Sequence, residues 1–238
     1  MPTPIALVHG GLGSAKQLQP LRHAVRAAYP AHAVRVYELP GHGHTPLADD
    51  AHFSIAHFAN TLGDDITNDA ADAGDKPVLF GYSMGGYIGM LLELLRPNSV
   101  SGIITLGTKF EWNAEVAEVA ARRMNAGSIR HKVPAFAAAL EVRHAHAGGW
   151  LKVLERSASV LRALGREPLV NNADLARLQL PVELLVGSRD DTVSYDETAR
   201  IAALLPEGRA TLLHDLPHPL ERVPSVLIVQ ALGSLLTR

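Results

Sequence analysis

The sequence predicts an α/β fold with a doubly wound, mostly parallel sheet that is flanked by helices and carries a helical insertion. Six short runs rich in valine, isoleucine and leucine recur along the 238 residues. Several are continuous apolar runs with turn residues at their ends, which is typical of strands buried on both faces of a sheet. Most intervening segments have apolar residues at helical spacing, so strands alternate with helices as in βαβ units.

The predicted strands and helices follow one another in a regular order. The six strands are residues 4–10, 33–41, 76–83, 100–108, 181–188 and 209–216. A helix is predicted directly after the third strand, in the stretch that ends GMLLELLRP. Three further helices are predicted from apolar residues that share one face. These residues are Leu18, Leu21, Val25 and Ala28; Ile55, Phe58, Leu62 and Ile66; and Val223, Leu227, Ala231 and Leu235.

One interval lacks this alternation of strands and helices. From about Trp112 to Asp174 there are several alanine-rich helical patterns but no convincing strand. We therefore predict a core of residues 1–111 and 175–238 and a helical cap of residues 112–174. Such a cap would cover the carboxyl edge of the sheet, where open α/β sheets bind ligands. A stripe within it is predicted to form the cap's own core: Leu151, Leu154, Ala158 and Leu161.

The composition limits the classes of function. With 47% apolar and 19% charged residues and a formal net charge of -2, the chain has no electrostatic footprint for nucleic acid or an anionic membrane. The absence of cysteine excludes disulfide scaffolds, thiolate zinc sites and a cysteine nucleophile. No signal peptide is predicted, and the most apolar helix is broken by Glu93. We expect a cytoplasmic protein, and nothing in the composition predicts its oligomeric state.

A serine motif lies between the third strand and the helix that follows it. Residues 81–85, GYSMG, match G-x-S-x-G in the strand–turn–helix context that this motif requires. A serine at so sharp a turn needs a strained backbone, and Gly81 and Gly85 leave room for it. The turn would lift the Ser83 hydroxyl above the sheet edge, where the Met84 amide favours a developing negative charge. The alternative is a serine that merely caps a glycine-rich helix start.

A serine nucleophile requires a histidine base. Among twelve histidines, His218 lies between two prolines in the loop after the last strand, just before the final helix. We predict that His218 is the base. His214 lies inside the preceding strand pattern and is predicted to be a packed or strand-end histidine.

A carboxylate must orient this histidine. Asp190 and Asp191 follow the fifth strand, and the order Ser83, Asp190, His218 is the chain order expected for this type of nucleophile turn. Adjacent side chains diverge, so only one of the two aspartates should reach the histidine. We predict that Asp190 does so and that Asp191 belongs to a solvated turn near a helix start.

The loop after the first strand, HGGLGS at residues 9–14, consists of small residues and can bring a backbone amide close to the nucleophile. Gly11 or Leu12 is the predicted second oxyanion donor beside Met84. A phosphate-binding loop is disfavoured, because the sequence matches neither G-x-G-x-x-G nor G-x-x-x-x-G-K-[ST].

Five motifs in this order resemble the α/β-hydrolase superfamily, and in particular its capped, single-domain esterase-like branch, over essentially the whole chain. They are HGG at 9–11, LPGHGHT at 39–45, GYSMGG at 81–86, GSRDDTV at 187–193 and LPHPLERVP at 216–224. The resemblance implies an α/β-hydrolase fold with Ser83 as nucleophile, Asp190 as acid and His218 as base, and it favours Gly11 over Leu12. Two departures are expected: the family's usual first hairpin is absent, and Thr45 replaces a common serine.

Other polar and aromatic residues are candidates for binding roles. Tyr82, Phe110 and Trp112 are predicted to line the substrate pocket, although Phe110 and Trp112 could equally be hinge residues that pack the first cap helix. Four histidines suggest a metal site only weakly: His42, His44, His144 and His146. Without cysteines, an H-E-x-x-H motif or a cluster with carboxylates, we predict no metal and no cofactor.

The predicted reaction is hydrolysis of a small or medium carboxylic ester through an acyl-enzyme on Ser83. The resemblance leaves other reactions of the same triad open: carbon–carbon bond or thioester hydrolysis, acyl transfer, and cofactor-free perhydrolysis. A non-catalytic receptor for a small ligand is an alternative of another class. Haloalkane dehalogenase and epoxide hydrolase chemistry is disfavoured, because similar members with that chemistry have aspartate where this chain has Ser83.

Overall fold

A computed structural model of the chain describes residues 2–47, 53–73 and 76–237. These residues contain one six-stranded sheet with the order β2-β1-β3-β4-β5-β6, in which every neighbouring pair is parallel. Each strand falls on one of the six predicted apolar runs, so the predicted fold class is confirmed. The strands are β1 (Ile5–Val8), β2 (Val34–Tyr37), β3 (Val78–Tyr82), β4 (Gly102–Leu106), β5 (Val182–Arg189) and β6 (Gly208–Pro217).

Helices cover both faces of the sheet. The core helices are α1 (Gln19–Ala28), α2 (Ile55–Ala73), α3 (Met84–Leu95), α9 (Tyr195–Leu204) and α10 (Ser225–Leu236). Alternate residues of β1 pack in two different hydrophobic clusters. Ile5 and Leu7 belong to the cluster that contains residues of α1 and α10. Ala6 and Val8 belong to the cluster that contains residues of α2, α3 and α9. This alternation follows from the two-residue period of a strand, and it explains why β1 is apolar at all four positions.

The helical insertion lies between β4 and β5. Over the fully described residues 107–181 the chain forms helices and no strand: α4 (Ala114–Arg122), α5 (Ala126–Lys132), α6 (Pro134–Arg143), α7 (Trp150–Arg166) and α8 (Asn172–Leu175). Its own small cluster includes Leu140, Trp150 and Leu154. The predicted stripe on α7 was partly wrong, because Leu151 is 49% exposed. The exact division into core and cap domains stays a prediction.

The sheet places the predicted site at one edge. In parallel strands the carboxyl ends lie together, and β1, β3, β4, β5 and β6 lie side by side in that order in the sheet. The loops after these strands carry the residues predicted for the site, so the topology brings them to one end of the molecule. None of the helices in the described ranges has both the length and the apolar character needed to cross a bilayer.

Candidate active site

Ser83 forms the turn between β3 and α3 by itself, because β3 ends at Tyr82 and α3 begins at Met84. Its φ of 52° and ψ of -116° are strained for a residue with a side chain. Three hydrogen bonds hold it there. The Ser83 amide donates to the carbonyl of Leu106 (2.8 Å), and its carbonyl accepts from Oγ1 of Thr108 (2.8 Å) and the amide of Gly86 (3.1 Å).

The glycines of the motif make this turn possible. A Cβ atom at Gly85 would lie 2.6 Å from the carbonyl oxygens of Val8 and His9, and one at Gly81 would overlap the backbone of the first turn of α3. Ser83 stands at the N-cap position of α3, yet its side chain makes no capping hydrogen bond. The hydroxyl instead faces His218, so the helix-capping alternative does not account for this serine.

Ser83, His218 and Asp190 form a chain of contacts. Nε2 of His218 lies 3.2 Å from Oγ of Ser83, and Nδ1 lies 2.7 Å from Oδ2 of Asp190. The other oxygen of Asp190 accepts from the amides of Thr192 (2.8 Å) and Val193 (3.0 Å). A carboxylate facing Nδ1 favours the tautomer with the proton on Nδ1, which leaves the Nε2 lone pair directed at the serine hydroxyl.

Two residues around this chain of contacts were not predicted to position it. Gly107 follows β4 with φ +62°, and a Cβ there would come within 3.0 Å of both Asp190 and the His218 ring. Tyr82, predicted only to line the pocket, donates its hydroxyl to the carbonyl of His218 (3.1 Å). The sequence shows only that Gly107 is a glycine directly after an apolar strand. That position alone does not reveal which residues Gly107 contacts.

The two other candidates lie apart from these contacts. Asp191 is exposed and pairs with Arg123, as expected for a residue of a solvated turn. His214 lies on β6 with its side chain exposed, which agrees with a strand histidine and contradicts the expectation of packing.

Three backbone amides near Ser83 have no partner among the described residues. Across the described ranges, the amides of Gly11, Leu12 and Met84 donate no hydrogen bond to another backbone or side-chain group. All three residues line the same cavity as Ser83, and a Cβ at Gly11 would lie 3.6 Å from Sδ of Met84. Free amides beside a hydroxyl suit the binding of a developing oxyanion. The choice between Gly11 and Leu12 stays a prediction.

A cavity of about 820 Å³ opens beside Ser83 and His218 between the sheet edge and the helical insertion. Tyr82 and Trp112 lie on its wall, and their role in substrate binding stays a prediction. Phe110 does not: it is buried in the core, where it stacks on Tyr87 with ring centroids 5.5 Å apart, so its predicted place in the pocket is corrected. Much of the remaining wall is apolar and includes Ile55, Tyr87, Val160, Leu161 and Leu164.

The charged residues on the cavity wall are largely paired. Within the described parts of the chain, each lysine or arginine on the wall faces a carboxylate. The three pairs are Lys109–Glu197 (2.6 Å), Arg123–Asp191 (3.4 Å) and Arg143–Glu221 (3.5 Å). The wall of the described cavity therefore offers no unpaired cation to an anionic ligand.

The histidines that suggested a metal site have other contacts. Among the described residues no group of three or more histidine, cysteine, aspartate or glutamate side chains could hold a metal ion. Burial lowers the pKa of His42 to about 3 and that of His144 to about 4. Both rings contact the loop after β1: Nε2 of His42 lies 2.9 Å from the Gly11 carbonyl and Nε2 of His144 lies 3.2 Å from that of Leu12. His44 and His146 stack on each other.

Known proteins share this architecture. The chain is 26% identical over 232 residues to the pimeloyl-acyl-carrier protein methyl ester esterase of Aeromonas hydrophila subsp. hydrophila, covering 90% of this chain and 87% of the relative. The structure of NosK from Streptomyces actuosus is similar with a TM-score of 0.80 at 22% identity, covering 99% of this chain and 97% of NosK. A thermophilic esterase from Thermogutta terrifontis has a TM-score of 0.74 at 21% identity, covering 99% and 89%.

The family match extends over the strands and loops that carry the site. The model of the alpha/beta hydrolase family matches residues 5–228, a range that includes all six strands and the contacts among Ser83, Asp190 and His218. The order of the five sequence motifs, the strand order of the sheet and the family match all indicate the same fold family. This chain belongs to the alpha/beta hydrolase family.

Proposed function

We propose that this protein is a serine hydrolase that cleaves small or medium carboxylic esters, with Ser83 as nucleophile, His218 as general base and Asp190 as the acid that orients it. The observation that carries the proposal is the pair of contacts from His218, 3.2 Å to Ser83 and 2.7 Å to Asp190, at the wall of the large cavity. The esterase named among its relatives supports the same reaction class.

In the proposed first half-reaction, Nε2 of His218 accepts the hydroxyl proton of Ser83 while Oγ attacks the ester carbonyl carbon. The carbonyl oxygen becomes an oxyanion, which accepts hydrogen bonds from the amides of Met84 and Gly11. The tetrahedral centre then collapses and the bond to the alkoxy oxygen breaks. His218 donates its proton to that oxygen, so a neutral alcohol leaves and an acyl-enzyme remains.

The second half-reaction uses the same groups. His218 accepts a proton from water, the resulting hydroxide attacks the acyl-enzyme, and the oxyanion forms again at the same amides. The bond to Oγ of Ser83 breaks, and the proton returns from His218 to the serine. Asp190, 2.7 Å from Nδ1 of His218, stabilises the imidazolium that forms in each half-reaction.

The cavity favours uncharged substrates. Its volume of about 820 Å³ suits a small or medium ligand, and its wall between the core and α7 is apolar. Because the described cations on the wall already face carboxylates, a substrate carboxylate would lose its hydration without gaining a new partner. We therefore propose an ester whose acyl group is apolar and without charge.

A fluorophosphonate probe and a series of p-nitrophenyl esters test this proposal. We expect the probe to label Ser83 and the wild type to hydrolyse short esters, while Ser83→Ala loses both labelling and turnover, the latter by about 10³-fold or more. Ser159→Ala is the matched control, since Ser159 lies exposed on α7 and donates only to the carbonyl of Glu155. An inert wild type, or activity that survives in Ser83→Ala, would contradict the proposal.

A further inference from the structure

We infer that Arg143 and His144, at the end of α6 in the helical insertion, are positioning residues for the oxyanion loop, defined as residues 10–13. The inference rests on the proposed function, because it concerns the amides that would bind the oxyanion. Nη1 of Arg143 donates to the carbonyl of Leu12 (2.6 Å), and Nε2 of His144 lies 3.2 Å from the same oxygen. These contacts join residues 131 and 132 positions apart in the chain.

Three successive carbonyls of the oxyanion loop, those of Gly10, Gly11 and Leu12, have partners. Arg143 and His144 hold the carbonyl of Leu12, and His42 faces that of Gly11 at 2.9 Å. The carbonyl of Gly10 accepts from the amide of Gly13 at 3.0 Å. The amides of Gly11 and Leu12 have no such partner within the described ranges, so this loop is held through its carbonyls and keeps two free donors.

Peptide geometry connects the held carbonyls to the free amides. In a trans peptide the C=O and the following N–H point in opposite directions, and no cis peptide bond occurs in the described residues. Holding the Leu12 carbonyl therefore aims the Gly13 amide away from α6, at the carbonyl of Gly10. That bond, together with Nδ1 of His9 at 2.8 Å from the same carbonyl, fixes the peptide between Gly10 and Gly11 and so sets the direction of the Gly11 amide.

The loop needs such support because of its composition. Gly10, Gly11 and Gly13 lack the side chains that would restrict the backbone, so the loop by itself has many accessible conformations. An oxyanion hole is effective only when its donors are oriented before the charge develops. Donors at the end of α6 supply that orientation, so the insertion supports the oxyanion loop and also forms a wall of the cavity.

Both side chains are suited to this role. Arg143 is largely buried, and Nη2 lies 3.5 Å from Glu221, so the guanidinium is itself held in place. Nδ1 of His144 accepts from the amide of Gly43 (3.1 Å), which places the ring proton on Nε2, where it faces the Leu12 carbonyl. Burial lowers the pKa of His144 to about 4, so this donor is a neutral imidazole near neutral pH.

Arg143→Met and His144→Leu each remove the N–H donor at their position. Arg143→Lys and His144→Gln each keep a donor there. Arg130→Met is the matched control, because Arg130 lies on α5 of the same insertion and stacks on Trp150 at 5.0 Å. The measurements are kcat and KM for p-nitrophenyl butyrate and the inhibition constant of an aryl trifluoromethyl ketone, whose serine adduct carries an oxyanion. Thermal unfolding and circular dichroism establish that each variant is folded.

We expect Arg143→Met and His144→Leu to lower kcat by about 10- to 100-fold, with KM within about twofold, because the loss falls on the transition state. Inhibition by the trifluoromethyl ketone should weaken by a similar factor, and Arg143→Lys and His144→Gln should recover most of both. A purely structural role would lower thermal stability without separating kcat from KM.

The two proposals can fail separately. If Arg143→Met and His144→Leu fold and keep the wild-type kcat and ketone inhibition, the positioning role is wrong. The proposal that the protein is a serine hydrolase would still stand. A wild type that neither reacts with the fluorophosphonate nor turns over esters would overturn both. If Arg143→Met does not fold, His144→Leu and Arg143→Lys test the same contact with smaller changes in volume or charge.

Discussion

Nδ1 of His218 lies 2.7 Å from Oδ2 of Asp190, a carboxylate whose side chain is only 2% exposed. Such a buried charge is costly unless hydrogen bonds satisfy it. Here Oδ1 accepts from two backbone amides and Oδ2 faces the imidazole, so both oxygens are used. The loop after β5 therefore holds the carboxylate in its orientation toward His218.

Asp190→Asn should strongly reduce turnover while preserving the fold. The amides of Thr192 and Val193 require an acceptor, so the asparagine carbonyl must take the Oδ1 position and its NH₂ group must face Nδ1. His218 would then carry its proton on Nε2 and could not accept one from Ser83. We expect kcat to fall by about 10²- to 10⁴-fold with near-normal KM.

Kinetics with p-nitrophenyl butyrate and thermal unfolding measure this effect. Asp215→Asn is the matched control: Asp215 is exposed, and its φ of 59° suits asparagine as well as aspartate. Near-wild-type kcat in a folded Asp190→Asn protein would show that the contact does not determine the tautomer of His218.

Gly107→Ala should damage the site by two separable effects. The added Cβ would lie 2.9 Å from Oδ2 of Asp190 and 3.0 Å from the His218 ring, and the φ of +62° strains any residue with a side chain. We expect a loss of about 1–2 kcal/mol in the free energy of unfolding from the backbone strain, together with a fall in kcat.

Gly149→Ala separates strain from crowding. Gly149 also has a positive φ, of +90°, but a Cβ there would meet nothing within 4 Å. This variant should lose stability in urea denaturation and keep its kcat. If both alanine variants lose activity equally, the crowding of Asp190 and His218 by the new methyl group is not the cause.

The sequence identified the strands and the candidate triad because their signals are local. Ser83, Asp190 and His218 each follow a strand and sit among turn residues, so a parallel sheet must bring them to one edge. The contact between Arg143 and Leu12 was not predictable, because the two residues are 131 positions apart and no pattern near either residue indicates it. Phe110 was misplaced because a loop residue has no periodicity that tells which way it faces.

The stability of the fold should depend on pH through His42 and His144. Burial lowers their pKa values from 6.5 in the unfolded chain to about 3 and about 4. Between these values the unfolded state binds more protons, so the free energy of unfolding falls as the pH drops below 6.5. Near the middle of this window each histidine should contribute about 1.4 kcal/mol per pH unit.

Urea denaturation over a series of pH values between 7 and about 4.5 measures this slope. His144→Gln should reduce the slope by roughly one proton and still donate to the Leu12 carbonyl. His131→Gln, an exposed position on α5, is the control and should leave the slope unchanged. Equal slopes in all three proteins would contradict a neutral, buried His144.

The selectivity of the cavity for uncharged acyl groups should respond to the ion pair between Arg123 and Asp191. p-Nitrophenyl butyrate and mono-p-nitrophenyl succinate differ mainly in a terminal carboxylate, and we expect the wild type to prefer the butyrate in kcat/KM by at least about tenfold. Asp191→Asn removes the carboxylate 3.4 Å from Arg123 and so offers a cation to the succinate.

Because both partners are more than half exposed, the gain from this change should be modest. We expect Asp191→Asn to narrow the preference by about threefold at low salt and to lose that gain near about 0.5 M NaCl, since screening weakens exposed charges. Asp196→Asn, exposed on α9, is the control and should leave the ratio unchanged. A wild type that prefers the succinate would mean that the paired cations still bind a substrate carboxylate, and the proposed substrate class would be wrong.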